Sequence, residues 1–227
     1  INLYDEILIK ENTKKKNIIF FLGQHKANTQ NNTVINLLKL MKKKFSSLRY
    51  KNFDIYIKKN IPNGSGLGGA SSNAATVFNF IKRKYKLKIS NKESRKLLAK
   101  IGKDCPLFLN QKVKLIKSSG EKFTEFKDNP KLNMLLIYPN LALSTKKVFN
   151  KLKKISNISL KGSINFKDKK KLLEVCKHYG NDLLDPAIQI EPRLKTIIDL
   201  CDGDADAARL LLDIIQNDAD ILRLIKG

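Results

Sequence analysis

Residues that build metal centres and cross-links are scarce in this sequence. Its 227 residues include only three cysteines and two histidines, and no tryptophan. Cys105, Cys176 and Cys201 are too few and too scattered for a disulfide framework or a zinc site, which favours a reducing, cytoplasmic compartment. His25 and His178 cannot by themselves build a metal centre or a Ser-His-Asp triad. Function classes that depend on these groups are therefore not predicted.

Long apolar segments are also absent. No apolar run approaches the roughly 18 residues of a membrane span, so no membrane partner is predicted. The chain is 42% hydrophobic, which is enough to bury a core, and its length predicts one or two domains.

Acidic residues are few: the sequence has 21 acidic and 45 basic residues, and the formal net charge is +24. Such a charge is typical of proteins with a polyanionic partner. Here the lysines are spread along the whole chain, and Lys, Asn and Ile are enriched together, which favours a general composition bias. Only weak, salt-sensitive binding to nucleic acid follows from the charge. Since no RNA-binding motif accompanies it, no specific nucleic-acid partner is predicted.

Hydrophobic periodicity places the chain in the α+β class. Alternation of apolar and polar residues predicts strands at 2–10, 17–22, 52–58 and 133–139, and a hairpin at 113–126 around Ser119 and Gly120. Helical spacing predicts helices at 32–45 and 90–102, the second with a capping box between Ser90 and Glu93. A third helix is predicted to begin at Ala70 or Ser71. Two more are predicted to be capped, one by Ser144 or Thr145 and the other by Asn181 or Asp182, and a last helix is predicted to begin at Pro192. The segment 151–171 is predicted to be a Lys-rich connection.

The end of the chain differs from the rest because it is acidic. Asp202, Asp204, Asp206 and Asp213 match four positions of a calcium loop, but the required glycine at the sixth position is Ala207. An acidic amphipathic helix is the favoured interpretation.

The most informative stretch joins the strand at 52–58 to the helix that follows it. Within six positions it contains four of the chain's eleven glycines: Gly64, Gly66, Gly68 and Gly69. An ordinary turn needs one or two. Glycines let a backbone approach an anion closely, and a helix amino terminus offers unpaired N–H groups with a positive dipole end. The stretch therefore predicts a phosphate site, with Ser71 and Ser72 as hydroxyl donors.

Common phosphate-loop patterns do not fit this stretch, since no lysine follows the last glycine and Leu67 occupies a position that a dinucleotide fold gives to a small residue. Pro62–Asn73, "PNGSGLGGASSN", instead resembles the ATP-binding loop of the GHMP kinases. Four further blocks resemble the family in order: "NNTV" (31–34), "IGKDCPLFL" (101–109), "YPNLALSTKKVF" (138–149) and "NDL" (181–183).

The resemblance implies a GHMP kinase fold: a part like domain 2 of ribosomal protein S5, followed by a ferredoxin-like part. It implies an ATP-binding domain at 1–130, a partial carboxyl-terminal domain at 131–200 and an atypical acidic tail at 201–227. The loop is most similar to the branch that phosphorylates a cytidine diphosphate-linked sugar alcohol in isoprenoid precursor (MEP pathway) biosynthesis. A homoserine or mevalonate type of kinase is the alternative enzyme.

The resemblance also implies roles for individual residues, with ATP and Mg²⁺ as cofactors. Asp104 matches the catalytic aspartate; taken alone it would be a turn or cap residue before Pro106, but the matching block favours a catalytic role. Asn32 would approach the adenine unless it only caps a helix, and Lys59 would lie near the nucleotide unless it is an exposed strand-end lysine. Thr145 would line the substrate side or cap a helix. Ser72 would contact Mg²⁺ or the β-phosphate. The residues wrapping the phosphates would be Pro62, Asn63, Gly64, Ser65, Gly66, Leu67, Gly68, Gly69, Ala70, Ser71 and Ser72.

Two blocks of the family have no counterpart in the sequence. One is the family's amino-terminal lysine block, and the other is its late glycine block. The sequence therefore leads us to expect an incomplete fold with poor activity alone, as a monomer or homodimer. A chain that only binds nucleotide stays open as an alternative.

Overall fold

The computed structural model describes residues 3–23, 29, 32–63, 65–117, 122–126, 143–153 and 168–202. The chain forms two compact units, Ile1–Asn129 and Pro130–Gly227. The predicted strand at 133–139, the hairpin turn at Ser119 and Gly120, and the calcium-loop positions after Asp202 lie outside the described residues.

The first unit is a mixed unit of strands and helices. Its central sheet contains β1 (Glu6–Asn12), β2 (Ile18–Leu22) and β3 (Asn52–Lys58) in the order β1-β3-β2. Its helices are α1 (Thr33–Lys44), α2 (Gly69–Lys84) and α3 (Asn91–Ala99), with short 3-10 helices at Ser46–Leu48 and Cys105–Leu109. The predicted hairpin is confirmed as the antiparallel pair β4 (Lys114–Lys117) and β5 (Lys122–Glu125).

The central strand β3 fixes the position of the core. It pairs antiparallel with β1 and parallel with β2. Its alternation was predicted correctly: Phe53, Ile55 and Ile57 are all buried on one face. Helices α1 and α2 cover that face with their apolar stripes, so the sheet and the helices share one hydrophobic cluster. The strand leaves this core at Lys58, where the glycine-rich stretch begins.

Two helix starts were predicted from their caps and are confirmed. The Asn32 side chain accepts a hydrogen bond from the Ile35 N–H at 2.9 Å and begins α1. Ser90 and Glu93 form the predicted capping box of α3. By contrast, α2 begins at Gly69, before the predicted Ala70 or Ser71. The glycine there has no side chain to contribute to the apolar period, so periodicity could not detect that start.

The second unit contributes four described helices: α4 (Thr145–Lys151), α5 (Lys169–Tyr179), α6 (Leu184–Ile190) and α7 (Arg193–Asp202). Ser144, not Thr145, caps α4. The predicted cap of α6 at Asn181 or Asp182 is wrong, because Leu183 holds the cap position while Asn181 accepts the Leu183 N–H at 3.0 Å in a turn. A ferredoxin-like identity for this unit stays a prediction.

Among the described helices, none has the length and apolar character needed to cross a membrane.

Candidate nucleotide-binding site

The stretch between β3 and α2 uses the conformational freedom of its glycines. Gly66 and Gly68 both adopt left-handed backbone, with φ of +73° and +71°, a region that side chains with a Cβ rarely enter. Gly68 is also closely packed: a Cβ at this position would lie 2.4 Å from Cζ of Phe108. Gly68 therefore tolerates no side chain, on both conformational and steric grounds. Gly64 lies outside the described residues.

The amino terminus of α2 carries no side-chain cap. Its cap residue is Gly68, which has no side chain to offer, and its first turn contains no acidic residue. Its last turn is basic, with Lys82, Arg83 and Lys84 matching the negative end of the helix dipole. The N–H groups of the first turn are thus not satisfied by a capping side chain, which is the arrangement of an anion-binding helix terminus.

The two serines of the first turn differ in their contacts. The Ser72 hydroxyl donates to the Gly69 carbonyl at 2.9 Å. Ser71 interacts with Cys105, whose pKa is raised by burial; the hydrogen bond with Ser71 partly offsets this effect, and the negative charge of Asp104 adds to it. Ser71 therefore connects the first turn of α2 to the turn that contains Asp104.

The predicted catalytic residue, Asp104, lies on that neighbouring turn. It is exposed and immediately precedes the 3-10 helix Cys105–Leu109. This short helix packs on α2, since Phe108 fills the space above Gly68 and the Leu109 carbonyl accepts the Asn79 side chain at 3.1 Å. The structure thus brings the Asp104 turn and the glycine-rich stretch together, although Asp104 follows Gly69 by 35 positions in the chain.

Asn32 lies close to the same helix terminus. The next residue, Thr33, donates its hydroxyl to the Ala70 carbonyl at 3.0 Å and so joins the starts of α1 and α2. The Asn32 side chain caps α1 and also donates to the Thr29 carbonyl at 3.3 Å. Capping is therefore confirmed for Asn32, and a contact with adenine stays a prediction.

Lys59 is not the exposed strand-end lysine that its position suggested. Its side chain is only 5% exposed and forms an ion pair with Asp5, which is 1% exposed. Asp5 also accepts hydrogen bonds from the N–H groups of Asn60 and Ile61 at 2.9 and 2.8 Å. Burial raises the pKa of Asp5, but the hydrogen bonds from Ile61, Lys59, Asn73 and Asn60 outweigh it and hold that pKa below its ordinary value of 3.8.

Sequence reasoning did not identify Asp5. In the antiparallel register Glu6 stands opposite Lys58, which brings Asp5 opposite Lys59. That pairing joins residues more than 50 positions apart, and no local sequence pattern around Asp5 predicts it.

Thr145, the predicted substrate-side residue, is the first residue of α4 in the second unit. Its side chain lies outside the described residues, so its role stays a prediction. Within the described part of the chain, no group of three or more His, Cys, Asp and Glu side chains is placed to hold a metal ion.

Comparison with known proteins tests the resemblance. The sequence pattern of the GHMP kinases N terminal domain matches residues 32–110, which include α1, the glycine-rich stretch and Asp104. The 4-diphosphocytidyl-2-C-methyl-D-erythritol kinase of Pelagibacter ubique is 34% identical over 206 residues, covering 89% of this chain and 71% of that protein. This chain belongs to the GHMP kinase family.

Other relatives of this GHMP kinase carry the same name. The 4-diphosphocytidyl-2-C-methyl-D-erythritol kinases of Sulfurihydrogenibium and Buchnera aphidicola are 32% and 33% identical to it. The matches cover 66% and 73% of this chain, but only 55% and 58% of those two relatives. The family assignment predicted from the loop is confirmed.

A solved structure supports the predicted fold. The crystal structure of 4-(cytidine 5'-diphospho)-2C-methyl-D-erythritol kinase superimposes with a TM-score of 0.63 at 20% identity, covering 86% of this chain and 68% of that one. The α+β kinase fold is therefore confirmed for this GHMP kinase.

Proposed function

We propose that this chain binds ATP at the amino terminus of α2 and transfers its terminal phosphoryl group to the 2-hydroxyl of 4-diphosphocytidyl-2-C-methyl-D-erythritol. One observation carries the proposal: an uncapped helix terminus, reached through left-handed glycines, packs against the turn that contains Asp104. The acceptor comes from the three relatives compared above, which are named as kinases of that compound.

The phosphate end of ATP is assigned to the backbone from Pro62 to Ser72. Two features support this. The left-handed residues Gly66 and Gly68 turn the chain so that it enters α2 without a capping side chain. The first turn of α2 adds no negative charge that would repel a phosphate. Backbone N–H groups in this setting act as fixed hydrogen-bond donors that need no reorganisation when phosphate arrives.

Asp104 is assigned as the base that accepts the proton of the acceptor hydroxyl. A tertiary alcohol is a weak nucleophile at neutral pH, so a carboxylate within hydrogen-bond reach aids attack on the phosphorus. The exposure of Asp104 leaves its carboxylate accessible to an acceptor. Its neighbour Cys105 contacts Ser71 of α2, which supports placing the base close to the transferred phosphoryl group.

Mg²⁺ is assigned to the side of the site that holds Ser72. The Ser72 hydroxyl donates its hydrogen bond to the Gly69 carbonyl, and its oxygen lone pairs stay available, which fits the oxygen ligands that Mg²⁺ prefers. When bound, the ion would neutralise phosphate charge. Asn32 and Lys59 are assigned to the nucleotide and Thr145 to the acceptor. A cytoplasmic location is proposed from the scarce cysteines.

A transfer assay with a panel of acceptors tests the proposal. The Asp104→Asn variant should lower the rate of transfer by about 10²- to 10⁴-fold and leave the Kd of Mg-ATP unchanged, because it removes the base but not the phosphate site. Asp199→Asn is the matched control, since Asp199 is an exposed aspartate on α7 with a 3.4 Å ion pair to Lys195.

The panel contains the cytidine diphosphate-linked sugar alcohol, homoserine and mevalonate. Transfer to homoserine or mevalonate instead of the sugar alcohol would refute the assigned acceptor. An Asp104→Asn variant with the native rate would refute the assigned base.

A further inference from the structure

A buried polar cluster lies directly beneath the start of the glycine-rich stretch. Its centre is Asp5, which precedes β1. One carboxylate oxygen, Oδ1, accepts the backbone N–H groups of Asn60 and Ile61. The other, Oδ2, accepts the Lys59 ammonium and, at 2.7 Å, the Asn73 amide from α2. A single carboxylate thus connects the first strand, the exit of β3 and the second turn of α2.

The burial of this cluster is unusual for charged groups. The side chains of Lys59 and Asp5 are 5% and 1% exposed, and Asn73 is buried as well. Removing two charges from water is costly, and the attraction between them compensates only when the geometry is good and other hydrogen bonds complete the site. A hydrophobic pair of similar volume would support folding equally well, so stability alone does not account for this pair.

The position of the Lys59 ammonium points to a second role. Gly69 is the first residue of α2, and a Cβ on it would lie 3.2 Å from Lys59 Nζ. The ammonium therefore lies against the helix terminus, on its buried side. There its positive charge lies beside the positive end of the helix dipole, with the Asp5 carboxylate as its counter-ion. Because its surroundings are buried, water screens this charge little.

A comparison with the other end of the same strand shows that the arrangement is specific. Asp54 near the start of β3 also forms an ion pair, with Lys14 at 3.1 Å, but that lysine side chain is 54% exposed. Asp54 contacts side chains of Lys14 and Asn12 and no loop backbone in the described residues. Of these two ion pairs, the one between Asp5 and Lys59 has both side chains buried.

We propose that Asp5 is a positioning residue for nucleotide binding: it holds the Lys59 ammonium beneath the first turn of α2 and fixes the backbone at Asn60 and Ile61, from which the phosphate-binding stretch departs. The proposal rests on the proposed function. The ligand class is a nucleoside polyphosphate, whose β- and γ-phosphates respond to this charge more than a single α-phosphate does.

The two carboxylate oxygens allow a selective variant. Asp5→Asn keeps a carbonyl oxygen for the N–H groups of Asn60 and Ile61. It replaces the oxygen that receives Lys59 and Asn73 by an amide nitrogen, which cannot accept them. The variant therefore releases the ammonium while the backbone contacts can persist. Asp54→Asn is the matched control, because it makes the same chemical change in an ion pair at the opposite end of β3.

The experiment measures the Kd of Mg-ATP and of AMP by calorimetry, at a temperature where urea unfolding shows each variant to be folded. Asp5→Asn should raise the Kd of Mg-ATP by at least about tenfold, equivalent to 1.4 kcal/mol, and change that of AMP by less than about threefold. Asp54→Asn should change neither. A purely structural role for Asp5 would weaken both nucleotides equally, or neither, and either result would overturn the proposal.

A second variant keeps the proposal testable if Asp5→Asn folds poorly, since that change removes the carboxylate partner of Lys59. The double variant Asp5→Asn with Lys59→Met removes both charges and should fold. It should still bind Mg-ATP at least about tenfold more weakly than the native chain, because no ammonium then lies against the first turn of α2. Native affinity in the double variant would overturn the proposal.

The outcomes also separate this proposal from the proposed function. If the native chain binds Mg-ATP and Asp5→Asn binds it equally well, only the role of Asp5 fails. If the folded native chain does not bind Mg-ATP at all, the proposed function fails and the positioning role fails with it.

Acidification provides an independent readout on the folded chain. Because the pKa of Asp5 is lowered on folding, its contribution to stability is present above its unfolded pKa and is lost as the pH falls through the folded one. The native chain should lose this contribution as the pH falls below 3.8, the ordinary pKa of an aspartate. The Asp5→Asn variant should show no such loss. Identical slopes of stability against pH in that range would contradict the ion pair.

Discussion

Helices α2 and α3 begin in opposite ways, although they are neighbours in the chain. At α3, the Ser90 hydroxyl accepts the Glu93 N–H at 3.2 Å, and the Glu93 carboxylate accepts the Ser90 N–H at 3.1 Å. At α2, the cap residue is Gly68, and neither a capping side chain nor an acidic residue occupies the first turn. One helix satisfies its terminus with its own side chains, and the other does not.

The difference shows how a stabilising feature and a binding feature exclude one another at the same kind of position. A capping box satisfies two N–H groups and places a carboxylate at the positive end of the dipole. The same carboxylate would repel a phosphate. The start of α2 therefore gives up the stability of a cap, typically about 1 kcal/mol, and keeps its terminus available for an anion.

The largest effect on this contrast is expected from Gly68→Val. The Cβ of the new valine would lie only 2.4 Å from Cζ of Phe108. The substitution would also force a β-branched residue into left-handed backbone. The strain and the clash together should cost about 2–5 kcal/mol of folding free energy and displace the first turn of α2, so that Mg-ATP binding is lost. Urea unfolding and calorimetry measure the two effects.

Gly66→Ala is the control for that variant. Gly66 has a similar φ of +73°, but nothing lies within 4 Å of the added Cβ. It should cost only the conformational strain, about 1–2 kcal/mol. Equal losses in the two variants would show that contact with Phe108 contributes nothing to the site.

Giving α2 the charge that α3 carries should reverse the contrast. Ala70 is exposed in the first turn of α2, and Ala70→Asp adds a carboxylate there. Stability should rise by about 0.3–1 kcal/mol, because the charge interacts favourably with the helix dipole. The Kd of Mg-ATP should nevertheless increase by about tenfold or more, because like charges oppose each other at the phosphate site.

The neutral Ala70→Asn variant separates charge from size. It should bind Mg-ATP within about threefold of the native chain. A more stable Ala70→Asp variant with unchanged affinity for Mg-ATP would mean that phosphate does not approach this terminus.

The smallest effect is expected at α3. Ser90→Ala removes the hydroxyl that caps the helix and should cost about 1 kcal/mol of stability. It should leave the Kd of Mg-ATP unaltered, because α3 contributes to the stability of the fold and not to the proposed nucleotide site. Urea denaturation and calorimetry on the same preparation provide both numbers. A weakened Kd with unchanged stability would show that α3 also contributes to the site.

Local signals predicted the parts of the molecule that are determined locally. The alternation of Phe53, Ile55 and Ile57 identified β3 with its observed bounds, and the pairing of Ser90 with Glu93 identified the start of α3. The clustered glycines identified the stretch with left-handed backbone before α2 and, with the neighbouring blocks, the family. Each of these signals is contained within a few consecutive residues.

The features that were missed depend on contacts between distant segments. Nothing near Asp5 indicates that it meets Lys59, because that contact follows from the pairing of β1 with β3. The packing of Phe108 on Gly68 depends in the same way on how the 3-10 helix folds back onto α2. Helix α5 was missed because its lysines resemble a solvated connection, and the start of α2 was placed late because glycine gives no apolar signal.

The most direct test of the account is a calorimetric titration of Mg-ATP into the native 227-residue chain, with Gly68→Val titrated alongside. Binding requires only the phosphate site, so the result does not depend on identifying the acceptor. The account predicts saturable binding at one site that is absent in Gly68→Val. A native chain that is folded by circular dichroism and releases no heat of binding would contradict it.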